Sequence, residues 1–395
     1  MRMVWIVVAI LGLAGLLVAG YLRPPRTPPV APEGVTLTPL RSISTLEARI
    51  LLRLSGVKGL PVRYAVDCYR MEYTVTALDG RRARQSGLLA LPRDVSATRL
   101  VSFQHGTATT RSAVPSKPDG TGLAAAILFA GNGYALVAPD YPGMGVSPGR
   151  HPYYVAEAIG SSVVAMIDAA RGLEDMPDRP VFLSGFSEGG WASMVALKRL
   201  ETRGERVLGA APVAGPYDIR NISLPAAMKG GAPSHSLYLA YAAWGQAGYY
   251  GHRLDSLLTP QYATTVERLF DGAEPKAILA GLPANPRVMF NPAFLDRYDR
   301  GEDHWYLDVF AAAGVADMTP VSPLRLYYGS EDKDVVPEEA LAAARSMRAR
   351  GANVTAIDVG PVGHEPSMLA AAPLIFAWLQ DLEAAEKAAP RPRPD

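Results

Sequence analysis

The sequence predicts an α/β protein: an eight-stranded, mostly parallel sheet flanked by helices, with a cap inserted after the sixth strand. Three observations predict it. Short, wholly apolar runs alternate with longer stretches of helical spacing, the pattern of strands buried on both faces of a sheet. One such run leads through a glycine-flanked serine, Gly185-Phe186-Ser187-Glu188-Gly189-Gly190, straight into a helical segment. The alternation then breaks between Pro216 and Pro320, where 14 of the chain's 32 aromatic residues gather.

The 395 residues begin with an uncharged apolar run, Met3 to Leu22, preceded by Arg2. Its length suits either a signal peptide or a single membrane anchor. Small residues at Val18-Ala19-Gly20 offer a cleavage site, whereas Trp5 and Tyr21 suit the two interfaces of an anchor. Either way the chain is expected to be exported: secreted, periplasmic, or held to the cell envelope by residues 3–22. Residues 23–43 read as a linker, with five prolines between Arg23 and Pro32 that stiffen it. The main α/β domain is expected over 44–215 and 321–387, the cap over 216–320, and a frayed tail over 388–395.

The domain opens with an amphipathic stretch in which Leu46, Ile50 and Leu54 recur every four residues. Two strands, Met71–Leu78 and Ser86–Leu91, flank Asp79-Gly80 as a hairpin. The remaining strands are expected at Leu100–Gln104, Tyr134–Ala138, Val181–Gly185, Leu208–Val213, Leu324–Tyr328 and Val354–Val359. Helical patterns fall at Gly122–Gly131, Tyr154–Leu173, Gly189–Glu201, Pro337–Arg350 and Pro366–Glu386. Two antiparallel strands followed by strand–helix units describe a mostly parallel sheet.

Charge and composition narrow the function. Lys and Arg total 39 against 38 acidic residues, a net charge of +1, which removes the basic footprint of a nucleic-acid binder. One cysteine, Cys68, forbids an intrachain disulfide or a cysteine metal cluster. No zinc-protease, phosphate-loop or dinucleotide motif competes, so no metal and no cofactor is expected.

The G-x-S-x-G segment is the strongest signal. Between a strand and a helix, flanking glycines let a strained backbone present the serine hydroxyl outward. Six histidines could serve as its base. His364, in a glycine-flanked loop after the last strand, has the fitting place, while His235, His252 and His304 fall in the cap and read as surface or capping residues. The acid that orients the base should end the preceding strand. Asp332 stands there, with Asp334 and Glu331 as rivals. Ser187 would then attack an acyl carbon, His364 take its proton and Asp332 hold the tautomer. The resulting oxyanion needs two donors. One is the backbone N–H of Glu188; the other is placed at Thr107, in the loop after the third strand, with Gly106 as alternative. His105 is expected to buttress that loop.

Taken together, several segments resemble the α/β-hydrolase superfamily. They are the elbow, the His105-Gly106-Thr107 loop, Gly133-Tyr134 through Pro139-Asp140-Tyr141-Pro142-Gly143-Met144-Gly145, Gly329–Pro337 and Gly363-His364. The opening hairpin, from Tyr69-Arg70-Met71-Glu72-Tyr73-Thr74 to Leu91-Pro92, is similar to that of the secretory lipases. The resemblance spans about residues 62–215 and 322–380, and the order Ser…Asp…His is the order of this superfamily. It implies the α/β-hydrolase fold and a serine esterase or lipase acting on small-molecule or lipid esters. The cap aromatics Tyr238, Tyr241, Trp244, Tyr249, Tyr250, Phe290, Trp305 and Tyr306 would cover the substrate, though no individual substrate-binding residue is assigned. A peptidase or acyltransferase using the same three residues is the alternative, and an inactive envelope-anchored binding protein is another.

Overall fold

The computed structural model describes residues 24–388 apart from 58, 77–79, 81 and 118–119. The apolar segment at residues 3–22, the Asp79 corner of the hairpin and most of the tail lie outside them.

Among the described residues, nine strands form one open sheet. They are β1 (Thr36–Ile43), β2 (Val66–Thr76), β3 (Arg82–Pro92), β4 (Leu100–Gln104), β5 (Ala135–Pro139), β6 (Val181–Phe186), β7 (Val207–Val213), β8 (Leu324–Tyr328) and β9 (Val354–Asp358). Their order is β1-β2-β3-β5-β4-β6-β7-β8-β9. The first four neighbours in that order pair antiparallel and the rest parallel. Every residue of β4, β5, β6 and β7 is buried, which is why these strands read as unbroken apolar runs.

The ninth strand corrects the sequence reading, which places residues 36–43 in the linker and counts eight strands. β1 carries Pro39 and Arg41 and has no alternation to betray it. It pairs with β2 on one side only, and its register shifts between Pro39 and Arg41. Proline is tolerated at such an edge. The first helix of the described residues, α1 (Thr45–Leu54), also turns another face inward than its leucine spacing suggests. Ala48 and Leu52 are buried, whereas Leu46 is 48% and Leu54 78% exposed.

Helices cover both faces: α2 (Gly120–Phe129), α3 (Ala156–Arg171), α4 (Glu188–Thr202), then, after the insertion, α11 (Glu338–Ala349) and α12 (His364–Ala388). Residues between β7 and β8 are helical: α5 (Leu224–Lys229), α6 (Ser234–Tyr250), α7 (Pro260–Leu269), α8 (Pro275–Gly281), α9 (Pro292–Asp299) and α10 (Trp305–Ala312). This insertion has no separate core. Its Tyr241, Phe290, Phe294 and Tyr306 belong to the same buried cluster as Ile159, Trp191 and Leu197 of α3 and α4.

Parallel strands end on one side of a sheet, and the loops leaving those ends form the crevice where such folds bind ligands. Four of these loops carry the residues singled out from the sequence.

Candidate active site

Ser187 stands between the last residue of β6 and the first of α4, with φ 58° and ψ −120°. Non-glycine residues occupy that region only under constraint, and the constraint is visible. The Ser187 N–H donates to the Val213 carbonyl at 2.9 Å, and the Ser187 carbonyl accepts the Trp191 N–H at 3.2 Å. The glycines are required by close approach. A Cβ on Gly189 would lie 1.9 Å from the Gln104 carbonyl oxygen, and one on Gly185 would lie 2.2 Å from the Gly189 oxygen. The turn can therefore be tight only with glycine at both places.

His364 Nε2 is 2.8 Å from Ser187 Oγ, and His364 Nδ1 is 2.7 Å from Asp332 Oδ2. All three side chains are buried. Asp332 Oδ1 in turn accepts the backbone N–H groups of Asp334 at 2.9 Å and Val335 at 3.0 Å, which fixes the carboxylate. Asp334 faces the insertion and accepts the Ser234 hydroxyl, and Glu331 is exposed, so neither rival acid meets the histidine. His364 is the first residue of α12; the helix, expected from Pro366, starts two residues earlier, at once after Gly363, so His364 is not in the loop.

The loop after β4 lies against the elbow: a Cβ on Gly106 would come 3.5 Å from the Ser187 Cβ. Among the described residues, no hydrogen bond engages the backbone N–H of Thr107 or of Glu188. The Glu188 N–H is at the positive end of α4. The Thr107 hydroxyl is 2.7 Å from the Tyr153 hydroxyl. His105 lies behind the loop, its ring nitrogens 2.7 Å from the Gly106 carbonyl and 3.4 Å from the Asp140 carbonyl. Burial lowers its pKa, so it stays neutral and structural.

The sequence reading misses a layer beneath this site. The Glu188 carboxylate, fully buried, meets His151 Nε2 at 2.7 Å, and His151 Nδ1 faces the Pro142 carbonyl at 3.0 Å. A stacked column runs from His105 over Tyr141 (4.3 Å between ring centroids) and His151 (5.8 Å) to Tyr241 (5.8 Å) and Trp244 (5.9 Å). Nothing in the spacing of these residues announces it, since they come from four separate segments.

The insertion reaches the site through α6. Tyr241 donates to the Ala108 carbonyl at 2.9 Å and Gln246 to the Tyr153 carbonyl at 3.2 Å. A cavity of about 50 Å³ touches Ser187 and is lined by Tyr153, Tyr154, Ile219, Leu224, His235 and Phe310, among others. Of the eight cap aromatics named from the sequence, only Tyr238 lines it. Tyr241, Trp244, Phe290 and Tyr306 are buried packing residues, and Tyr249 and Tyr250 are exposed. Trp305 stacks on His252 at 4.5 Å, and His304 caps α10 by accepting the Tyr306 N–H. His235 is 4% exposed, not a surface residue.

No protein-family model matches the chain, and no curated protein matches it in sequence. Solved structures do. A candidate hydrolase from Legionella pneumophila is 27% identical, with a TM-score of 0.81, covering 90% of this chain and 99% of its own. The rice cell wall degrading esterase LipA from Xanthomonas oryzae is 23% identical, with a TM-score of 0.77, covering 88% of this chain and 96% of its own. Candida antarctica lipase A in its closed state is 15% identical, with a TM-score of 0.66, covering 92% and 84%. These are α/β-hydrolases of the lipase and esterase type, and the chain has their fold.

Proposed function

We propose that this chain is a serine hydrolase of carboxylic esters, with Ser187 as nucleophile, His364 as general base and Asp332 as the residue that orients it. The observation that carries the reading is the continuous pair of hydrogen bonds, Ser187 Oγ to His364 Nε2 at 2.8 Å and His364 Nδ1 to Asp332 at 2.7 Å, at a strained elbow. Ester hydrolysis also agrees with the esterase and the lipase among the similar folds.

The chemistry follows from the geometry. Asp332 accepts the Nδ1 proton, which leaves the Nε2 lone pair facing Ser187. As Oγ bonds to the ester carbon, its proton passes to Nε2 and the carbonyl oxygen becomes an anion. The N–H groups of Thr107 and Glu188 receive that charge without having to reorient. Collapse breaks the bond to the alkoxy group, which leaves with the proton from His364. Water then repeats the sequence on the acyl-enzyme and releases the carboxylic acid.

A fluorophosphonate probe tests nucleophile and activation together. The expected result is covalent labelling at Ser187 and none in Ser187→Ala, with nitrophenyl esters hydrolysed by the first protein only. Labelling elsewhere, or activity retained by Ser187→Ala, overturns the assignment.

For the apolar segment at residues 3–22 we propose export of the chain, with the segment as cleaved signal or retained anchor. N-terminal sequencing of the protein recovered from the cell envelope and medium separates the two, and recovery from the cytoplasm alone rejects both.

A further inference from the structure

The cavity beside Ser187 differs in character from an open lipid-binding groove. Its space of about 50 Å³ holds about four non-hydrogen atoms. Its walls come from both halves of the protein: Tyr153 and Tyr154 below, and Ile219, Leu224, Leu239 and Phe310 from the insertion above. Leu224, Leu239 and Phe310 are themselves buried, so the far wall is closed by packed side chains.

One group in this lining is out of keeping with the rest. His235, in the first turn of α6, lines the cavity. Its Nε2 is 2.9 Å from the Lys333 carbonyl oxygen. A carbonyl only accepts, so Nε2 carries a hydrogen, and Nδ1 of the neutral ring is left with a lone pair. Nδ1 is buried and has no partner among the described residues. Most buried side-chain acceptors in folded proteins have a hydrogen-bond partner. The carboxylate in the lining, Asp334, is engaged by Ser234.

We infer that this cavity is the acyl subsite of the proposed esterase, that it takes short acyl groups of about four carbons, and that His235 accepts a hydrogen bond from a hydroxyl on that acyl chain. The inference rests on the ester-hydrolase reading and names its substrate class. A site that hydrogen-bonds a substrate hydroxyl rejects the analogue lacking it, because its own polar group is then left unpaired in the complex.

The test compares kcat/KM for the nitrophenyl esters of 2-hydroxybutyrate, 3-hydroxybutyrate, butyrate and octanoate in the unmodified protein. The better of the two hydroxybutyrates should exceed butyrate by about tenfold, the worth of one neutral hydrogen bond. Octanoate should fall below butyrate by about tenfold or more, since the surplus chain must displace packed core. In His235→Leu, with folding checked by circular dichroism and labelling at Ser187, the hydroxybutyrate-to-butyrate ratio should drop to about one. Octanoate turned over as well as butyrate overturns the subsite. Equal rates on butyrate and both hydroxybutyrates, or a ratio that His235→Leu leaves unchanged, overturns the role of His235. If no ester is hydrolysed and Ser187 takes no label, the ester-hydrolase reading itself falls, and the subsite with it.

Discussion

Glu188 Oε1 lies 2.7 Å from His151 Nε2, both side chains fully out of solvent, one residue after the serine of the elbow. Since His151 Nδ1 must donate to the Pro142 carbonyl, a proton also has to lie between Nε2 and the carboxylate. The pair sits under the proposed oxyanion site without placing an uncompensated negative charge there. Removing one partner strands the other. His151→Leu should therefore lower stability by about 3–5 kcal/mol, and the double variant His151→Leu/Glu188→Met by less. Urea unfolding of the three proteins checks this; a double variant no more stable than the single one rejects the pairing account.

Asp332→Asn and Asp334→Asn, made side by side, should part company. The first removes the acceptor at His364 Nδ1 and should cost about 10⁴-fold in kcat, as loss of the orienting acid does in such triads. The second keeps the His364 partner and alters a cavity-lining carboxylate that Ser234 engages, so it should cost far less in kcat. Steady-state rates on a nitrophenyl ester distinguish them, and the reverse pattern would transfer the role to Asp334.

Tyr153→Phe deletes the hydroxyl that meets Thr107 at 2.7 Å. Because the role proposed for the Thr107 N–H is to receive charge present only in the transition state, kcat should fall by about tenfold with KM little changed. A rise in KM alone would make Tyr153 a substrate-binding group instead.

Gly189→Ala should destabilise the fold by about 3 kcal/mol or more, since its methyl group would overlap the Gln104 carbonyl and force the backbone apart. Gly363→Ala is the control, because a Cβ there meets nothing within 4 Å. Thermal melting of the two variants should separate them clearly.

Burial pushes the Glu339 carboxyl up to about 7 from an ordinary 4.5, although the N–H groups of Tyr217, Asp218 and Ser223 and the Ser223 hydroxyl pull the other way. A carboxyl raised in the folded state favours folding below its ordinary value, and that contribution fades as pH climbs to the raised one. The stability difference between the wild-type protein and Glu339→Gln should thus shift against wild type between pH 4.5 and about 7 and level off above. A difference flat across that window would show the carboxylate ionised throughout. Glu339 binds the turn at residues 217–223 where the insertion begins, so the same titration bears on one wall of the cavity.

The parts of this protein legible from the sequence are those where one local constraint decides. The buried strands announce themselves as apolar runs, and Ser187, Asp332 and His364 each follow a strand in an order the topology dictates. What escaped is set by tertiary context. β1 is an edge strand whose pairing with β2 supplies what its mixed composition does not. The burial of Glu188 against His151 joins residues 37 positions apart. The cap aromatics suggest a substrate cover by type alone, with no single residue assigned, yet most fill the interior that the insertion shares with α3 and α4, and the cavity owes its walls equally to Tyr153 and Tyr154.

The stacked column from His105 to Trp244 spans both halves of the molecule. At Gly245 the helix α6 comes so near that a Cβ would lie 2.3 Å from the His151 carbonyl oxygen. Swinging the insertion away as a rigid flap would unstack these rings, break the Tyr241 and Gln246 hydrogen bonds and expose a shared interior to water. That is a cost no oil–water interface need be asked to repay if the substrate is small and dissolved. The enzyme should accordingly show plain hyperbolic saturation with monomeric esters, and its rate should not jump where the substrate begins to form micelles.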